Sequence, residues 1–188
     1  MSGLLPQHFA LTEAAVALAG AFAIARVARV SPWFAVGLAP FTLAALVGTI
    51  RIGAGLIGSI EYIHQLLSRS GALFGLGCLL GVLAARHPVL PPLFGFAATL
   101  LAGVIPSAGA PLFSALILLG AASAYQANPS RALLAVVSFS VLLIGRLATD
   151  PLRGAYPTLA WHSFHLTVAV WLLLLAFYVL PTKPRLLA

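Results

Sequence analysis

The chain has very little charge. Only 7% of its 188 residues are Asp, Glu, Lys or Arg, and it holds three acids in all. An average soluble domain carries about 25% charged residues, so this chain lacks the polar surface that a water-soluble globule needs. Cysteine is nearly absent, since Cys78 stands alone, which excludes an intramolecular disulfide and a cysteine-rich metal site. With 62% hydrophobic residues and a mean hydropathy of +1.10, the composition predicts a polytopic integral membrane protein.

Seven apolar segments come close to the length of a membrane span, which takes roughly 20 helical residues for about 30 Å of hydrocarbon. Short connections rich in Pro, Gly, Ser and Asn separate them. We therefore expect an all-α helical bundle of about seven transmembrane helices, with residues 1–188 forming one transmembrane domain and no soluble domain. The predicted spans are 9–24, 32–52, 57–85, 89–105, 110–125, 132–147 and 158–180.

The third segment allows two interpretations because its first part is amphipathic, with Glu61 and His64 on its polar side. Either an interfacial helix leads into a short span, or one long tilted helix covers the whole segment. The long helix is favoured, since Ser68-Arg69-Ser70 is a weak helix breaker. Two pairs of glycines four residues apart, at positions 71/75 and 77/81, predict close approach of neighbouring helices.

Lysine is nearly absent too, because nine of the ten basic residues are Arg. They lie singly between apolar segments, which argues against nucleic-acid binding and indicates topology signals and contacts with lipid headgroups. With the N-terminus outside, the predicted inner set is Arg26, Arg29, Arg86, Arg131, Lys183 and Arg185, and the outer set is Arg51, Arg69, Arg146 and Arg153. We expect a protein of a bacterial inner membrane with its N-terminus outside and its C-terminus cytoplasmic.

Polar side chains gather at the predicted outer ends of the third and seventh helices. Glu61 and His64 are three residues apart on one helix, and His162 and His165 on the other, so each pair shares a helix face. Helical bundles bind metals through Glu-x-x-His elements that project inward. The pattern predicts zinc, or another divalent metal, held by the three histidines, with Glu61 as a fourth ligand or as the general base.

Three further residues complete this predicted site. Asp150 would accept the N–H of a metal-bound imidazole and fix its tautomer. Arg51 or Arg69 would hold an anionic lipid headgroup through charge-assisted hydrogen bonds. Zinc with an open position supplies hydroxide near neutral pH, so the predicted reaction is the hydrolysis of a membrane lipid.

Seven helices with Trp161-His162-Ser163-Phe164-His165 in the last one resemble the CREST-type membrane hydrolases, which include alkaline ceramidases and adiponectin-receptor-like proteins. The resemblance implies an intramembrane zinc held by histidines and an activated water that attacks a lipid amide or ester. The histidine spacing here is H-x-x-H, whereas that family has H-x-x-x-H. Glu61 and His64 would replace the family's Ser-x-x-x-His element and its intramembrane Asp.

Other interpretations stay open. The polar residues could be structural, with Glu61 paired to Arg51 or Arg69, and Asp150 paired to an arginine close to it in sequence. A heme-binding protein would need two of the histidines opposed across the bundle at one depth. A non-enzymatic transporter, channel or assembly subunit agrees with the many small residues and the few acids. The expected partners of the protein are membrane lipids, and a second copy of the chain or a partner subunit in the membrane.

Overall fold

The computed structural model describes residues 6–56, 58, 60–84 and 87–179, and within them every regular element is helical. The all-α prediction is therefore confirmed for this part of the chain. The long helices are α1 (Phe9–Val27), α2 (Pro32–Gly53), α3 (Glu61–Ala84), α4 (Leu90–Val104), α5 (Gly109–Ala127), α6 (Ala132–Thr149) and α7 (Pro157–Val179). The span ends predicted at residues 57, 85 and 180, and the basic residues Arg86, Lys183 and Arg185, lie outside the described residues.

Six of the helices form a closed ring. α1 packs against α2 and α7, α2 against α3, α3 against α5, α5 against α6, and α6 against α7. α4 lies outside this ring against α3, and its buried residues are Pro91, Gly95 and Ala98. The aromatic centre of the ring is Trp171, which is fully buried and donates its indole N–H to the Phe139 carbonyl oxygen over 3.2 Å.

The third predicted segment forms one continuous helix. α3 runs as an α-helix to Leu66, widens into a π-helical turn over Leu67–Gly71, and continues as an α-helix from Ala72. The π turn contains the polar residues 68–70, so the helix accommodates them without ending. Pro40 inside α2 lies opposite this turn, because a Cβ added to Gly71 would lie 3.1 Å from the Pro40 Cβ.

Small residues bring α3 close to its neighbours, as the glycine pairs predict. A Cβ added to Gly75 would collide with the carbonyl oxygen of Gly37 in α2. One added to Gly77 would lie 2.6 Å from the Phe94 carbonyl oxygen in α4. At both places backbone packs against backbone, which only glycine permits.

Six helices in the described residues are long and apolar enough to cross a membrane, whereas α4, with 15 residues, is shorter. The outer faces of the long helices and of α4 carry large exposed apolar side chains, such as Leu18, Leu100, Val104 and Leu133. A soluble monomer rarely exposes so much apolar surface. The structure therefore has the form of a helical bundle with several candidate transmembrane helices.

Candidate functional site

A buried acid in α1 lies at the centre of the polar end of the bundle. The side chain of Glu13 is only 2% exposed, and its Oε1 lies 3.3 Å from His165 Nε2 and 3.6 Å from His64 Nε2. The two histidines belong to α7 and α3. α1 packs against α7 and α2, and α2 packs against α3, and both histidine side chains reach the carboxylate of Glu13. We call Glu13, His64 and His165 the carboxylate–imidazole centre.

A glycine in α2 makes room for this carboxylate. A Cβ added to Gly48 would lie 2.6 Å from Glu13 Oε1 and 2.7 Å from its Cδ. The carboxyl group therefore rests directly on the α2 backbone, where any side chain would displace it.

Local contacts fix the ring of His165. Its Nδ1 lies 2.8 Å from the carbonyl oxygen of Trp161, one helical turn earlier, and its ring stacks on the Trp161 indole at 4.4 Å between centroids. The indole in turn stacks on Phe9 of α1 at 5.1 Å. Since a carbonyl oxygen only accepts hydrogen bonds, the Nδ1 atom carries a proton, and Nε2 is the atom presented to Glu13.

A second buried charge lies beside the centre. Arg51 near the end of α2 has a side chain that is 5% exposed, and it forms an ion pair with Glu61 at the start of α3. Glu61 also accepts a hydrogen bond of 2.8 Å from the amide of Gln65. The buried guanidinium of Arg51 is thus paired with a carboxylate that is partly exposed.

Buried polar atoms without a hydrogen-bond partner concentrate here. In the described part of the chain these atoms are Glu13 Oε1, Arg51 Nε and Trp161 Nε1. Glu13 belongs to the centre, Trp161 stacks on His165, and Arg51 pairs with Glu61, three residues before His64 in α3. Native proteins satisfy nearly all buried polar groups, and the exceptions call for an explanation, often a functional one.

The other residues predicted from the sequence have different surroundings. His162 Nδ1 lies 3.1 Å from the Thr12 hydroxyl oxygen. Asp150 pairs with Arg153 at 3.1 Å and with Arg146 at 3.6 Å. Of the predicted metal ligands, only His64 and His165 approach a common atom.

The two arginines that were predicted to hold a lipid headgroup lie in different surroundings. Arg51 is buried and paired with Glu61, whereas Arg69 is exposed and lines a separate cavity. The pairings of Glu61 and Asp150 with arginines, given above as the structural alternative, are confirmed.

Among the described residues, no group of three or more His, Cys, Asp or Glu side chains has an arrangement that could hold a metal ion. The zinc site and the hydrolysis that depends on it stay predictions from the sequence.

Glu13 was missed by the sequence reasoning, although one signal pointed to it. It is an acid within an apolar segment, and an ionisable group within a membrane span is a functional hypothesis by default. Comparisons of the chain with protein-family models, curated proteins and solved structures find no match.

Proposed function

We propose that the chain is an integral membrane protein that crosses the bilayer seven times, with α4 as the seventh span. The uncovered apolar faces of the helices support a lipid environment. The contacts of α4 support its crossing, because its start packs near the end of α3 and its later residues pack nearer the start of α3. Pro91 lies beside Gly81, and Gly95 lies beside Gly77. α4 therefore runs antiparallel along α3 and returns the chain to the end where α5 begins.

The basic residues support an orientation with the N-terminus outside a bacterial inner membrane and the C-terminus in the cytoplasm. One end of the bundle has Arg26, Arg29 and Arg131. The prediction from the sequence adds Arg86, Lys183 and Arg185, which lie outside the described residues, to the same set. The other end has four arginines together with all three acids. Positive residues favour the cytoplasmic side, so the acid-containing end faces outward.

Labelling of introduced cysteines tests this orientation. Val30 and Tyr156 are exposed in connections at opposite ends of the bundle. In intact cells, a membrane-impermeant maleimide is expected to label Tyr156→Cys and to label Val30→Cys only after permeabilisation. The unaltered chain is the control, because its Cys78 is fully buried. The reverse pattern would invert the orientation, and labelling of both sites in intact cells would contradict the odd number of spans.

We infer that the carboxylate–imidazole centre takes up and releases a proton, and that the protein is a proton-coupled membrane transporter. The observation that carries this proposal is the buried Glu13 Oε1 facing two imidazole Nε2 atoms. His165 already carries a proton on Nδ1, so its Nε2 and the carboxylate oxygen attract each other only with a second proton between them. That proton resides on the imidazole or on the carboxyl group. Buried His and Glu residues within membrane spans are typical of proton relays.

The depth and exposure of the three side chains support exchange with one side of the membrane. At 1.5 Å per residue, Glu13 lies about 6 Å along α1 and His165 about 12 Å along α7 from the ends that face outward. The side chains of His64 and His165 are 15% and 16% exposed, so both reach solvent more readily than Glu13 does. A proton could thus pass from solvent to an imidazole and then to the buried carboxylate.

Irregular helix segments next to the centre support a change of access. The π turn of α3 begins three residues after His64, and it packs against Pro40, which interrupts the hydrogen bonding of α2. Proline and π turns are the usual places where helices bend. Transporters commonly use interrupted helices beside their ion sites. A bend at either place would move His64 relative to Glu13 during transport.

Proton flux into proteoliposomes tests the proposal. With an entrapped pH-sensitive dye and an imposed gradient, the unaltered protein is expected to carry protons, and Glu13→Gln to reduce the rate at least tenfold. Gly48→Ala keeps the carboxyl group but displaces it from the imidazoles, so it is also expected to slow the flux. His87→Gln, exposed at the opposite end of the bundle, is the matched control.

Infrared difference spectra across a pH titration separate proton binding from transport. A band of a protonated buried carboxyl group that disappears in Glu13→Gln is expected. If this band is present but no proton flux is measured, the centre only binds a proton as part of the structure, and the transport proposal is wrong. Stoichiometric zinc that His165→Gln removes from the purified protein would instead favour the metal-dependent hydrolase.

A further inference from the structure

A second polar region lies at the same end of the bundle, apart from the carboxylate–imidazole centre. It is a cavity of about 790 Å³ between α3, the α4–α5 connection, α6 and the connection that follows α6. This volume is within the roughly 300–1,000 Å³ typical of small-molecule sites. Its charged lining residues are Arg69, Arg146, Arg153 and Asp150.

The charges of the cavity do not balance. Asp150 forms ion pairs with both Arg146 and Arg153, at 3.6 and 3.1 Å, so one carboxylate serves two guanidinium groups. Arg69 forms no ion pair with any described residue. The lining therefore has three positive charges against one negative charge, an excess that attracts an anion. Guanidinium groups suit phosphate in particular, because their planar N–H forks donate two parallel hydrogen bonds to its oxygens.

The cavity also has an apolar wall. Leu73, Phe113 and Phe164 line it together with the arginines, and the guanidinium of Arg146 lies 5.5 Å from the Phe113 ring centroid. A ligand that fills the cavity would thus place an anionic group among the arginines and an apolar group against these side chains.

We propose that this cavity binds the phosphate group of an amphiphile, with Arg69, Arg146 and Arg153 holding the phosphate and the apolar wall holding the chain. The observation is the juxtaposition of three arginines, one acid and an aromatic wall around a single cavity. The proposal does not depend on proton uptake by Glu13. Measurements of ligand binding test it separately from measurements of proton flux.

Binding to the purified full chain in detergent micelles tests the proposal by isothermal calorimetry. The probes are dioctanoyl phosphatidic acid, dioctanoyl phosphatidylcholine and inorganic phosphate. Phosphatidic acid is expected to bind at least tenfold more tightly than either other probe. Inorganic phosphate with equal affinity would identify free phosphate as the source of the anion and overturn the part of the proposal that concerns the apolar wall.

Arginine variants locate the site. Arg69→Gln and Arg153→Gln are each expected to weaken phosphatidic acid binding about tenfold. Both residues are exposed, so neither change should prevent folding, which unchanged melting temperatures without lipid would verify. Arg131→Gln, exposed at the other end of the bundle, is the matched control. Equal loss in the control, or equal binding of phosphatidylcholine, would overturn the proposal.

Discussion

Glu61→Ala is expected to lower the free energy of unfolding by about 2–4 kcal/mol, because it leaves the buried guanidinium of Arg51 without its ion-pair partner. Removing one partner of a fully buried pair costs roughly 3–5 kcal/mol. The side chain of Glu61 is 35% exposed, which lowers that range here through solvent screening. Thermal unfolding in detergent micelles measures the change.

Two further variants test whether the unpaired charge of Arg51 causes this loss of stability. Asp150→Ala removes an acid from ion pairs at the surface, where the side chain is 43% exposed, so we expect a loss of only about 0–1 kcal/mol. Adding Arg51→Met to Glu61→Ala removes the buried charge and should restore at least half of the lost stability. If the double variant were less stable than Glu61→Ala, the ion-pair explanation would be wrong.

Gly75→Ala is expected to lower the free energy of unfolding by about 1–3 kcal/mol, since over-packing of a tight contact costs roughly that amount. The added Cβ would collide with the Gly37 carbonyl oxygen and lie 3.0 Å from the Phe41 ring. Backbone cannot move aside as a flexible side chain can, so α2 and α3 would have to separate. Gly75→Leu should be more harmful still.

Gly103→Ala in α4 is the matched control. A Cβ added there meets no heavy atom within 4 Å, so the change brings only the better helix propensity of alanine. That gain is at most about 1 kcal/mol. A similar loss of stability in both variants would show that the close approach of α2 and α3 does not limit stability.

The fold class and the helical segments follow from local properties of the sequence. The scarcity of charge excludes a soluble globule, and the Pro, Gly, Ser and Asn connections mark where helices end. The glycine pairs in α3 predict close packing because four residues make about one helical turn, which puts both glycines on one face. Each of these inferences needs only residues near one another in the chain.

Which side chains meet in the site depends on the order of helices in the ring. No local sequence pattern encodes that order. Glu61 and His64 share a face of α3, so their spacing predicted a common ligand for both. In the structure α2 presents Arg51 to Glu61, and α1 presents Glu13 to His64. The sequence alone determined an apolar helical bundle and the polarity of one of its ends. Only the tertiary structure decided that Glu13 lies between His64 and His165, because the ring places α1 beside α7 and α2, and α2 beside α3. The partner of each buried charge is set by the helices that pack around it.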